Sequence, residues 1–222
     1  MGIACDVVDL GADADAGQIG ATLSRLSSDP QVHGVMLQTP LPAGASAQQL
    51  AAAIDPRKDV DGANPLSLGR LAAGLPAFPP ATAAAVLALL DHYEVELEGR
   101  RAVVVGRSTV VGKPLAHLLL DRHATVTVAH SRTRDLASVT STADVLVAAA
   151  GRAGLIGAAH VAPGAVVIDV GTNPTEDSGL TGDVDFEAVS GVAGALTPVP
   201  GGVGPVTTAL LLRHTARAAN LP

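Results

Sequence analysis

The chain has 222 residues, 48% of them hydrophobic and 1% aromatic, with a net charge of -7 and one cysteine. A single cysteine excludes an internal disulfide framework and a cysteine-built zinc site, and the seven histidines are scattered without metal-ligand spacing. Negative charge and only three aromatic residues (Tyr93, Phe78, Phe186) argue against a nucleic-acid partner, which calls for cationic and stacking surfaces.

In chain order, Cys5–Leu10 reads as a strand. Ala16–Ser27 reads as a helix, because Ile19, Leu23 and Leu26 recur at helical spacing and Asp15 stands at the capping position. Val32–Leu37 is a predicted strand and Ala47–Ile54 a short helix, followed by a loop rich in Asp, Gly, Asn and Pro through Pro65. Thr82–His92 is an Ala/Leu helix. A second series follows: strand Ala102–Val105, helix Pro114–Arg122, then strands Thr125–Ala129, Ala143–Ala149 and Ala165–Val170, and a last helix Val206–Ala219. Continuous Val/Ile runs separated by helices imply parallel strands covered on both faces. The fold class is therefore α/β, with a domain boundary within residues 78–100. No apolar run reaches membrane-spanning length, and no basic stretch leads into an apolar one as in an export signal. A cytoplasmic protein without a membrane partner is expected.

The segment VVVGRSTVVGKP, residues 103–114, joins an apolar strand to a helix. Gly106 permits a sharp turn, Gly112 permits close packing, and Pro114 suits a first helical turn. Such a helix start presents unpaired N–H groups and partial positive charge to a pyrophosphate. The middle glycine of the common dinucleotide fingerprint is replaced by Ser108, whose hydroxyl can donate to phosphate; a ligand-free βα turn is the alternative. The next strand ends in TVAHSRTR, residues 127–134. NAD-binding units place an acidic residue there for the ribose 2′-hydroxyl. Ser131, Arg132 and Arg134, with Arg107 in the first turn, suit the 2′-phosphate of NADP instead; a solvated basic loop is the alternative.

Three more stretches carry candidate chemistry. HGVMLQTPLP, residues 33–42, places Gln38 at the end of a predicted strand, where open α/β sheets bind ligands; a side chain that only bonds the local turn backbone is the alternative. In DPRKDVDGANP, residues 55–65, one of Asp59 and Asp61 is expected to serve the turn by bonding backbone N–H groups, which leaves the other open to a ligand; a heterocycle with two adjacent N–H donors would be a good partner for it. LTPVPGGVGPVTT, residues 196–208, stiffens the chain at Pro198, Pro200 and Pro205, while Gly201, Gly202 and Gly204 allow close backbone approach.

Taken together, VHGVMLQTPLP, IDPRKDVDG, GRLAAGLPAF, VVVGRSTVVGKP, ATVTVAHSRT, GAVVIDVGTN, GDVDF and TPVPGGVGPVTTALLL resemble the methylenetetrahydrofolate dehydrogenase/methenyltetrahydrofolate cyclohydrolase family. The motifs run in order from residue 32 to the C-terminal helix. The resemblance implies two α/β domains. Residues 1–80 with the C-terminal helix 206–222 would form a folate-binding catalytic domain, and residues 81–205 a Rossmann-like NADP-binding domain with a parallel sheet. It implies NADP as cofactor, a tetrahydrofolate derivative as substrate, a homodimer, and a place in one-carbon metabolism. Gln38 matches the glutamine near the reacting carbon, and Asp61 the aspartate that holds the pterin. Pro200, Gly201 and Gly202 match the loop along the folate. Gly106, Arg107 and Ser108 match the cofactor turn, and Ser131 and Arg132 the 2′-phosphate neighbourhood. Thr172 stands where the family usually has isoleucine beside the cofactor.

Two departures follow from the same comparison. The family carries Tyr-x-x-x-Lys on a helix near its N-terminus as its main acid/base group. This chain opens at the following strand, and neither Lys58 nor Lys113 fits that pattern, so activity is expected to be impaired, with a non-catalytic NADP/folate-binding relative or fragment as the alternative. The segment FPPATAAAV, residues 78–86, has alanines at 81, 83 and 85 where the family has Cys, Pro and Gly, which favours helix.

Overall fold

The computed structural model describes residues 2–221. The chain divides into two compact units, one formed by residues 1–81 with 209–222 and the other by residues 82–208.

The first unit is mainly helical. Helix α1 (Ala16–Ser28) starts at Asp15, whose carboxylate accepts from Gln18 N while the Gln18 side chain accepts from Asp15 N, a capping box that satisfies two otherwise orphaned N–H groups. Ile19 and Leu23 pack with Ala14, Val35, Leu50 and Ile54 into one core, to which helix α2 (Ala47–Ala51) contributes Leu50. Helix α3 (Pro65–Ala72) lies where the sequence reading ended in a loop. Its start was readable: the Asn64 side chain accepts from Leu66 N, and Pro65 occupies the first helical position. The strand expected at Cys5–Leu10 is not formed, since no described segment lies alongside to complete a hydrogen-bond ladder. The strand expected at Val32–Leu37 reduces to one parallel bridge between Val35 and Asp59.

The second unit begins in helix α4 (Ala81–His92), in which Ala81, Ala83 and Ala85 are fully buried. Strands β1 (Arg101–Val105), β2 (Thr125–Ala129), β3 (Val145–Ala148) and β4 (Val166–Asp169) appear where the Val/Ile runs placed them. A two-residue strand β7 (Ala195–Leu196), preceded by the hairpin β5 (Asn173–Pro174) and β6 (Leu180–Thr181), completes a parallel sheet of order β2-β1-β3-β4-β7. Helix α5 (Gly112–Leu120) packs on β1 and β2 and buries Leu115 and Leu119. With side chains alternating along each strand, Val103, Val105, Leu146, Ala148 and Val167 share one face, against Ile156, Val161, Val184 and Val189. The short helices α6 (Leu136–Thr140) and α7 (Phe186–Ser190) were not foreseen, although each is capped by an aspartate, Asp135 and Asp185. Helix α8 (Val203–Ala218) starts three residues before its expected position.

Candidate functional site

Because β1 to β4 are parallel, the loops after them open on one edge of the sheet. Gly106 N donates to Ala129 O (2.8 Å), Ala149 N to Val105 O (2.8 Å) and Val170 N to Ala148 O (2.8 Å). The turn after β1, the turn after β2, and the loops after β3 and β4 are therefore neighbours along that edge. Gly106 adopts φ +135, and a Cβ there would overlap the Ala149 carbonyl. Any L side chain would be strained at this position and would collide with the β3 loop.

Ser108 is exposed, and its hydroxyl turns onto the amides at the start of α5. Its Oγ accepts from Val111 N (3.1 Å) and Gly112 N (3.3 Å), so it caps α5 and has its O–H proton to donate outward. Arg107 is exposed beside it. In the next turn, His130 N donates to Thr133 Oγ1 (2.8 Å), and His130 Nδ1 accepts from Arg132 N (3.1 Å). This fixes a tight loop that presents Ser131, Arg132 and Arg134 to solvent. Among the described residues, Arg107, Arg132 and Arg134 form no ion pair. Three uncompensated guanidinium groups, two hydroxyls and a helix N-terminus along one sheet edge are a donor set for a phosphorylated dinucleotide. Thr172 is exposed in the loop after β4, at the same edge.

In the first unit, Val35 N donates to Lys58 O (2.8 Å), and the segment around Val35 runs parallel to that around Asp59. Gln38 and Asp61 thus follow the bridge at the same end. The two aspartates of the turn have different employments. Asp59 is buried; its carboxylate accepts from Ala63 N (3.0 Å) and Asn64 N (2.9 Å). Burial still pushes its pKa up. Asp61 faces the Ala81 backbone N–H, which offsets little: burial, reinforced by the nearby Asp59 charge, pushes its pKa up to about 6. Gly62, at φ +67, turns the chain so tightly against Phe78–Pro80 that a Cβ would meet Pro79 C at 2.5 Å. The turn is anchored from the C-terminal side by His214, whose Nδ1 lies 2.8 Å from Val60 O and whose ring packs on Phe78. Gln38 is exposed.

Pro200 and Gly201 are exposed and Gly202 is buried against the Pro198 carbonyl; these three belong to the second unit, whereas Gln38 and Asp61 belong to the first. The Thr39–Pro40 and Val199–Pro200 peptide bonds are cis. A cavity of about 360 Å³ in the second unit is lined by Asp169, Asp185 and Glu187 among others and touches none of the sequence-predicted cofactor residues. A cavity of about 200 Å³ in the first, with Arg57, Arg70 and Arg217 in its wall, touches neither Gln38 nor Asp61. No group of three His, Cys, Asp or Glu side chains among the described residues is placed to hold a metal ion, and no described helix is long and apolar enough to cross a membrane.

Sequence reasoning missed the two buried aspartates that organise this edge, Asp169 and Asp183. The signals were the motif GDVDF, residues 182–186, for Asp183, and GAVVIDVGTN, residues 164–173, for Asp169.

Comparison with known proteins gives a consistent picture. Residues 80–221 match the family described as tetrahydrofolate dehydrogenase/cyclohydrolase, NAD(P)-binding domain. Residues 1–61 match its catalytic domain. A protein named bifunctional protein FolD 1 from Saccharopolyspora erythraea is 70% identical over 219 residues, covering 99% of this chain and 75% of the relative. The crystal structure of the bifunctional methylenetetrahydrofolate dehydrogenase/cyclohydrolase of Campylobacter jejuni is 42% identical with a TM-score of 0.90, covering 94% of this chain and 74% of that one. The Trypanosoma brucei enzyme, solved with NADP cofactor and an inhibitor, is 38% identical with a TM-score of 0.88, covering 94% and 73%.

Proposed function

This chain belongs to the tetrahydrofolate dehydrogenase/cyclohydrolase family, and from that premise we infer that it oxidises 5,10-methylenetetrahydrofolate with NADP+ and hydrolyses the methenyl product to 10-formyltetrahydrofolate. The observation that carries the reading is the carboxyl edge of the parallel sheet, where Arg107, Arg132 and Arg134 form no ion pair among the described residues. Those cations fit the cofactor: Gly106, Arg107 and Ser108 would hold its pyrophosphate, Ser131 and Arg132 its 2′-phosphate, and Thr172 its nicotinamide end. When bound, NADP+ supplies the acceptor for the hydride that leaves the one-carbon bridge.

On the folate side, Asp61 has the chemistry to hold the pterin. Its carboxylate, beside the Ala81 N–H, keeps acceptor sites open for two adjacent N–H donors, and a pKa of about 6 leaves it mainly charged at neutral pH. Gln38, at the same end of the bridge, would orient the reacting carbon, and the backbone of Pro200–Gly202 would run along the folate. Homodimeric assembly, a cytoplasmic location and a place in one-carbon metabolism belong to the same reading and rest on the family alone.

The two half-reactions place different demands on the residues. Hydride transfer depends mainly on holding both ligands in register. Adding water calls for a positioned acid–base group, whose contribution is about 10²–10⁴-fold. Lys58 is committed, its ammonium donating to Asp29 O (2.6 Å), and Lys113 lies in the first turn of α5. Impairment of the hydrolytic half rests on this placement of the two lysines; the comparisons give it no support, since the relatives match across 99% of the chain. The test is to supply NADP+ and 5,10-methylenetetrahydrofolate and follow NADPH, methenyl and formyl products separately. Accumulating methenyl product alongside NADPH is the expected result. Stoichiometric 10-formyl product removes the impairment, and the absence of NADPH removes the dehydrogenase assignment.

A further inference from the structure

The GDVDF segment has no role in the ligand contacts described so far, yet it carries one buried carboxylate, Asp183, and its backbone bonds a second, Asp169 at the end of β4. Asp183 is fully buried, and Asp169 is 3% exposed. Asp183 Oδ2 accepts from Ala150 N (2.6 Å) and Gly151 N (2.9 Å), and its Oδ1 accepts from Arg152 N (2.7 Å) and Asn173 Nδ2 (2.9 Å). Three successive amides of the loop after β3 thus converge on one carboxylate, which also holds the side chain of the loop after β4. Asp169 works from the opposite side: its Oδ1 accepts from Gly171 N (2.9 Å) and Asp183 N (3.0 Å), and its Oδ2 from Val184 N (3.0 Å). Thr172 lies between Gly171, held by Asp169, and Asn173, held by Asp183. The carbonyl of Ala149, at the head of the β3 loop, abuts Gly106 of the cofactor turn.

These contacts form a continuous path from a buried carboxylate to three of the four loops at the cofactor edge. Successive backbone N–H groups that point inward have no intraloop partner, so without the carboxylate they would be buried unsatisfied or swing out to water. We propose that Asp183 is a positioning residue for the dinucleotide: by gathering the amides of residues 150–152 and the Asn173 amide, it sets the loops after β3 and β4 in the conformation that receives NADP+, with Asp169 fixing Asp183 in turn. The proposal rests on the NADP+ reading of this edge and adds to it a residue that does not itself touch the ligand.

The substitution Asp183→Asn keeps the volume and replaces one oxygen by an N–H2 group. On either side that group faces two N–H donors, so two of the four bonds are lost and the amides repel. The full chain and the variant are titrated with NADP+, and their steady-state kinetics are measured with 5,10-methylenetetrahydrofolate. The expected result is an NADP+ affinity about tenfold weaker in Asp183→Asn, the size of one or two net hydrogen bonds. KM for NADP+ rises in parallel, while KM for the folate stays at the wild-type value and kcat at saturation stays within about twofold, a split that general loss of folded protein does not produce. Amide hydrogen exchange at residues 150–152 is expected to quicken. Should Asp183→Asn fail to fold, Asn173→Ala removes the arm to the β4 loop alone and is expected to weaken NADP+ about threefold, again without moving the folate KM. A folded variant with unchanged NADP+ affinity overturns the proposal. A wild-type chain that binds no NADP+ overturns the parent reading and this one with it, whereas the ratio of variant to wild type reports on Asp183 alone.

Discussion

Asp61 and Asp183 bring the same side chain into opposite circumstances. In the second unit, the Asp183 carboxylate is surrounded by four N–H donors from residues 150–152 and 173. In the first, Asp59 accepts from the turn amides, while Asp61, two positions on, faces the Ala81 N–H and has a pKa raised to about 6 by burial and by its neighbour's charge. A carboxylate satisfied by the backbone holds structure. One desolvated with too few donors to offset the cost is poised for a ligand, because a ligand's N–H donors would relieve the cost of burying it.

This contrast can be broken at several points. The largest effect is expected from Gly106→Ala, which forces a side chain into φ +135 and into the Ala149 carbonyl. NADP+ binding measured by titration should fall by about 100-fold or more, with a loss of roughly 2–3 kcal/mol in unfolding free energy by denaturant titration. Asp61→Asn should lower kcat/KM for the folate by about 30- to 100-fold, the loss of a charge-assisted pair of hydrogen bonds, while leaving NADP+ affinity unchanged. Arg132→Ala should weaken NADP+ about tenfold and leave NAD+ binding as it was, since only the 2′-phosphate is deprived of its partner; calorimetric titration with both cofactors measures the difference.

The smallest effect is a pH dependence. Folate affinity should rise as pH climbs through about 6, where Asp61 becomes charged, and level off above it. Stability should run the other way. The folded state holds the Asp61 proton more tightly than the unfolded chain, whose pKa is near 3.8, so unfolding free energy falls as pH rises from about 4 to 6. Asp61→Asn should flatten both profiles.

The second unit was the more legible in the sequence. Strand β2, an alternating Thr/Val segment, begins and ends at the expected residues, and β1, β3 and β4, whose buried runs are rich in Val, differ by one or two at their ends. The first unit was harder to read. Cys5–Leu10 and Val32–Leu37 have strand composition, but a strand exists only with a partner, and composition does not say where the partner is. Gln38, Asp61, Ser131 and Arg132 were proposed from local motifs. Two things were not. The Ser108 hydroxyl turns onto the first amides of α5 to cap it, a matter of rotamer. Asp183 draws its donors from 31 to 33 positions away, at Ala150, Gly151 and Arg152, so no local pattern contains its role.

The most direct test of the account is NADPH formation from NADP+ and 5,10-methylenetetrahydrofolate by the wild-type chain and by Asp61→Asn, after titration has established that both bind NADP+. Folate-dependent NADPH from the wild type, with most of that rate lost in the variant, is the predicted result. Equal rates in the two proteins, or no NADPH from a wild-type chain that binds NADP+, would contradict it.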